Sequence, residues 1–126
     1  MRMQKLPPGV ACAVSIALML IPLAWAAPAF PTGNYQAGEV SMQFDDHGRF
    51  KVSKGGQTVV DGEYTARADQ ISLTDKSGAW ACSSKGEETG SYLWKYEGGT
   101  LTFSKVEDRC EGRVGDLPQH GWKRQE

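Results

Sequence analysis

From Val40 the chain alternates: Val40, Met42 and Phe44 are apolar, and Ser41 and Gln43 between them are polar. That period of two belongs to a strand with one buried face, not to a helix. Asp45-Asp46-His47-Gly48 supplies turn residues, and Phe50 and Val52 resume the alternation, so 40–53 reads as a hairpin. Lys54-Gly55-Gly56-Gln57 turns the chain again into 58–66. Asp61-Gly62 is a favoured hairpin dipeptide, but a turn there would leave too short a strand behind it. One long strand bent at Gly62 fits better, because an interior glycine marks a bulge or corner where a sheet must coil. After a turn at Asp69, Ile71 and Leu73 alternate with Ser72 and Thr74; Asp75-Lys76-Ser77-Gly78 reads as the next turn. Trp80 and Cys82 then share a face, and 83–87 is a polar loop. Tyr92, Trp94 and Tyr96 mark the clearest strand, which Gly98-Gly99 ends before Leu101 and Phe103 return. Residues 106–113 read as a loop, Trp122 as part of a closing strand, and no helical period appears after the N-terminal segment.

A repeat underlies this pattern. Gly33-Asn34-Tyr35, Gly62-Glu63-Tyr64 and Gly90-Ser91-Tyr92 begin 29 and then 28 residues apart. In the last two copies Tyr64 maps onto Tyr92, Leu73 onto Leu101, Thr74 onto Thr102 and Cys82 onto Cys110. Three similar hairpins predict an all-β antiparallel meander of roughly eight strands, which manages its edges by closing into a barrel.

The first residues follow a different rule. Arg2 and Lys5 precede an apolar run over 10–23, and Ala24-Trp25-Ala26 offers a small-x-small cleavage site. The run is shorter than the roughly 20 residues a bilayer span needs, and Pro22 interrupts it. Residues 1–26 are therefore expected to be a cleaved signal peptide, 27–32 an extended lead-in and 33–126 the barrel domain. On that reading the protein is periplasmic or secreted, with no membrane anchor left after cleavage. Cys12 leaves with the signal, and Cys82 and Cys110 remain for an oxidising compartment, where a disulfide is expected. Closing that loop would contribute roughly 3 to 4 kcal/mol.

Without Arg2 and Lys5, 12 basic side chains face 15 acidic ones, a net charge of −3 with the signs interspersed. No basic stripe suits nucleic acid. No catalytic group, metal site or cofactor is expected either. His47 and His120 are the only histidines, and Asp45-Asp46-His47-Gly48 has the composition of a tight turn. No nucleophile elbow or phosphate-cradling glycine loop is present. The densest polar cluster is Asp108-Arg109-Cys110-Glu111-Gly112-Arg113. Arg113 could receive a carboxylate ligand at the rim; the simpler reading pairs it with Asp108 or packs it on Trp122. The many aromatic residues leave two interiors open, one filled by side chains and one holding a small ligand.

Taken together, Gly62-x-Tyr64, Ile71-Ser72-Leu73-Thr74-Asp75, Gly78, Ala81-Cys82, Gly90-x-Tyr92-x-Trp94, Leu101-Thr102-Phe103, Asp108-x-Cys110-x-Gly112-Arg113 and Trp122 resemble the small secreted lipocalin-like (calycin-type) β-barrel proteins of bacteria. The resemblance covers nearly all of the expected mature chain. It implies a barrel binding a small apolar ligand, although the chain is short and lacks the helix that packs beside a full lipocalin barrel. Tyr64, Trp80, Tyr92, Trp94 and Arg113 are the candidate ligand-binding residues, and Cys82 and Cys110 the disulfide. Two further expectations stand beside this one. In one, the barrel binds a protein partner, as an envelope protease inhibitor would, through residues 27–32; in the other it is a structural accessory with a filled core.

Overall fold

The computed structural model describes residues 29–126; the expected signal segment 1–26 and the first two lead-in residues lie outside them. Eight antiparallel strands form a closed barrel in simple sequence order. They are β1 (Gly33–Ala37), β2 (Val40–Phe44), β3 (Arg49–Lys54), β4 (Gln57–Arg67), β5 (Gln70–Ser77), β6 (Thr89–Glu97), β7 (Thr100–Glu107) and β8 (Trp122–Gln125). β8 closes the circle by pairing with both β7 and β1, Leu101 opposite Trp122 and Tyr35 opposite Arg124. Closure covers most strand edges, with β7 meeting β8 only at Thr100 and Leu101.

The inward side chains follow the period-two pattern. On β2 Met42 and Phe44 are buried, on β5 Ile71, Leu73 and Asp75, and on β6 Gly90, Tyr92 and Trp94. The expected long strand is β4, and its register shifts between Asp61 and Gly62. Here, over residues 61–63, β4 pairs with β3 on one side and β5 on the other. A Cβ on Gly62 would stand 2.3 Å from the Thr74 carbonyl oxygen and 2.5 Å from Phe50 Cε1. Only glycine lets the strand bend this close to its neighbours. β6 carries a similar irregularity between Ser91 and Tyr92.

Three expectations need correction. Residues 75–78 are not a turn, because β5 runs through Ser77 and the chain breaks at Gly78, whose φ is +121°. Asp75 occupies the next inward position after Leu73, and a buried ion pair keeps it there. Trp80 and Cys82 follow in irregular chain rather than on a strand face. The expected loop over 106–113 begins as β7 and ends in a four-residue helix, α1 (Glu111–Val114), followed by a 3₁₀ turn, Leu117–Gln119. One helical turn is too short to show a 3.6-residue period. Its start is capped by Cys110, whose Sγ accepts the Arg113 N–H at 3.4 Å.

Candidate functional site

The two ends of the barrel are built differently. At the end carrying the β2–β3 turn, Phe30 of the lead-in is inserted among Phe44, Tyr64 and Trp94, with ring centroids 4.9, 5.4 and 5.3 Å away. The contacts with Phe44 and Trp94 are edge-to-face and that with Tyr64 is tilted, geometries that favour dense packing. The Tyr35 hydroxyl donates to the Pro31 carbonyl at 2.6 Å, and the Tyr64 hydroxyl donates to the Asp45 carbonyl. In the turn itself, Asp45 Oδ1 accepts the His47 and Arg49 N–H groups at 2.9 and 2.8 Å. His47 therefore has a structural setting in that turn. The indole N–H of Trp94 is buried here without a hydrogen-bond partner.

The opposite end is open. A cavity of about 560 Å³ is walled by Val40, Met42, Phe50, Val52, Val60 and Leu73 from the strands, with Leu117 and Trp122 from the C-terminal segment. Lys54, Trp80 and Asp116 also line it. Trp80 is 46% exposed, and the Lys54 ammonium sits 5.4 Å from its ring centroid. The volume lies within the roughly 300–1,000 Å³ range of small-molecule sites. The filled and hollow interiors expected as alternatives thus occupy opposite ends of one barrel.

One buried ionic group frames the open end. Arg113 Nη1 donates to Asp108 Oδ1 at 2.7 Å, and Nη2 lies 3.0 Å from Asp75 Oδ2. The guanidinium also reaches the Glu87 and Glu88 carbonyls, at 3.5 and 3.0 Å. Asp108 is fully engaged, because Oδ1 also accepts the Cys110 N–H at 2.9 Å and Oδ2 accepts the Tyr92 hydroxyl. Asp75 Oδ2 accepts the Cys82 N–H at 2.8 Å. Arg113 thereby joins β5, the end of the 78–88 loop and its own segment, and the Cys82–Cys110 disulfide ties the same loop to the same segment. A Cβ on Gly90 would lie 2.3 Å from Asp108 Oδ2, so glycine makes room for the carboxylate.

The electrostatics follow from burial. Burial alone would lower the Arg113 pKa, but the Asp108 hydrogen bond and the charges of Asp75 and Asp108 outweigh it and raise the value. Burial, reinforced by the hydrogen bond to Asp108, pushes the Tyr92 phenol far above its ordinary value. Asp75, Cys82 and Cys110 lie close together, but both sulfurs are held in the disulfide and offer no thiolate to a metal.

Of the five candidate ligand residues, Trp80 and Arg113 line the cavity. Tyr64 and Trp94 pack against Phe30 at the filled end. Tyr92 lies between, fully buried, with its hydroxyl turned to Asp108. Arg113 is 8% exposed and pairs with Asp108 as one reading expected, with Asp75 as a second partner. The cation–π contacts among the described residues are Lys54 on Trp80 and Arg124 on Tyr35, so Arg113 does not stack on Trp122. Instead the Trp122 indole N–H donates to the Leu117 carbonyl at 3.0 Å. Asp75 is the cavity residue that sequence reasoning missed, because Asp75-Lys76-Ser77-Gly78 reads as a turn and so hides the inward position Asp75 takes after Ile71 and Leu73.

Comparison with known proteins adds no relative. The chain matches no family model, no curated protein and no solved structure. Among the described residues no helix is long and apolar enough to cross a membrane.

Proposed function

We propose that this protein is a secreted or periplasmic, non-enzymatic barrel of lipocalin-like type whose open end binds a small hydrophobic or aromatic molecule. The observation that carries this reading is the cavity: about 560 Å³, walled mainly by aliphatic and aromatic side chains, with the half-exposed Trp80 in its lining. Removing an apolar ligand from water against such walls is worth about 25 cal/mol per Å² buried. The disulfide and the Arg113 group hold the loops around the mouth, so little ordering is needed when a ligand enters. The protein-binding alternative draws less support, since Phe30 would have to leave its packing for the lead-in to enter a partner.

Native mass spectrometry of protein purified from the periplasm, run beside the unfolded chain, tests the reading. A discrete extra mass released on unfolding is the expected result and would identify the cargo. A bare chain that also fails to take up added apolar compounds would argue for surface recognition of another protein.

A further inference from the structure

We propose that the cavity selects an apolar molecule whose polar end donates a hydrogen bond, an amine or a hydroxyl, and discriminates against carboxylates. This rests on the carrier reading above and concerns the chemistry of the ligand's head.

The observation is the unequal use of Asp75. Its side chain is 5% exposed and lines the cavity beside Leu73. Oδ2 takes the Arg113 guanidinium and the Cys82 N–H. No donor among the described residues reaches Oδ1, whereas both oxygens of the neighbouring Asp108 are engaged. The buried polar side-chain atoms without a partner among the described residues are Glu88 Oε2 and Trp94 Nε1, so Asp75 Oδ1 is open to the cavity it lines. There a ligand N–H or O–H can replace solvent and donate a charge-assisted hydrogen bond. A carboxylic acid head would meet the opposite situation. The one guanidinium nearby is already held by Asp108, Asp75 and two carbonyls. The three side chains together hold two carboxylates against one guanidinium, so the local field opposes a further anion and favours an ammonium group. Lys54 is the cation in the lining that could draw a carboxylate instead, and its ammonium stands over the exposed Trp80 ring. An amine or alcohol of moderate length would lay its apolar body along Met42, Val52 and Leu117.

Calorimetric titration of the protein with octan-1-ol, octylamine and octanoate, at one ionic strength and neutral pH, separates the possibilities. Octylamine and octan-1-ol are each expected to bind at least about tenfold more tightly than octanoate, the range of a hydrogen bond to a charged group. Octylamine, whose ammonium the two carboxylates favour, is expected to bind more tightly than octan-1-ol, and in Asp75→Asn that difference should disappear. Affinities within about threefold of one another for all three compounds would overturn the selection while leaving the carrier reading intact. Octanoate binding most tightly would overturn it too and would place the head at Lys54. Binding of none of the three would defeat the carrier reading itself. The wild-type comparison stands even if Asp75→Asn folds poorly.

Discussion

Replacing Arg113 with methionine would leave the Asp75 and Asp108 carboxylates buried near one another without their shared cation. Removing one partner of a buried ionic group costs about 3–5 kcal/mol, because the remaining charge is stranded. Urea denaturation of Arg113→Met should show a loss of that size; a loss of only a few tenths would mean that the group is solvated. The buried phenols set a pH limit. Burial raises the pKa values of Tyr35, Tyr64 and Tyr92, each keeping its hydroxyl neutral in the fold. A group raised on folding contributes its full stabilisation below its unfolded pKa, about 10 for tyrosine, and loses it as pH rises beyond. An absorbance titration should find these three phenols resisting ionisation above pH 10 until the barrel unfolds, so phenolate and unfolding signals rise together. Independent ionisation of all three in the folded protein would contradict the described burial.

At the level of elements, period-two alternation revealed the strands because a barrel wall has one face inside and one outside. Even the bend in β4 was legible, since Gly62 sits where no side chain fits. Gly62→Ala should cost about 1–3 kcal/mol through overpacking against Phe50 and the Thr74 carbonyl, measurable by thermal or urea melting. What the pattern could not show was an inward aspartate. Asp75 has turn chemistry, and only the partner Arg113, 38 residues on by their numbering, makes its burial affordable. The short helix was hidden for a related reason: Glu111–Val114 buries no residue, so no apolar stripe announces it. Cys82 and Cys110 were legible as a pair from their number and matching repeat positions, and their bond joins two loops of the open end. Replacing both with serine should cost about 2–5 kcal/mol. Hydrogen exchange should show the loss of protection concentrated in 78–88 and 108–121; a uniform loss would mean that the disulfide does not specifically hold the mouth.

At the scale of the whole molecule, one end of the barrel is closed by its own lead-in and the other remains hollow. The sequence showed the aromatic residues but not their division between those ends, because inward residues from distant strands alternate in depth along the barrel. Phe30→Ala should loosen the closed end and cost about 1–3 kcal/mol, the value of the apolar and ring contacts removed. It should leave affinity at the opposite cavity nearly unchanged. The division also gives the central test. In an amide NMR titration with naphthol, the account predicts saturable shifts at Met42, Val52, Leu73, Trp80 and Leu117 and none around Phe30, Tyr64 and Trp94. Shifts confined to the Phe30 end, or no saturable shifts at any soluble concentration, would contradict it.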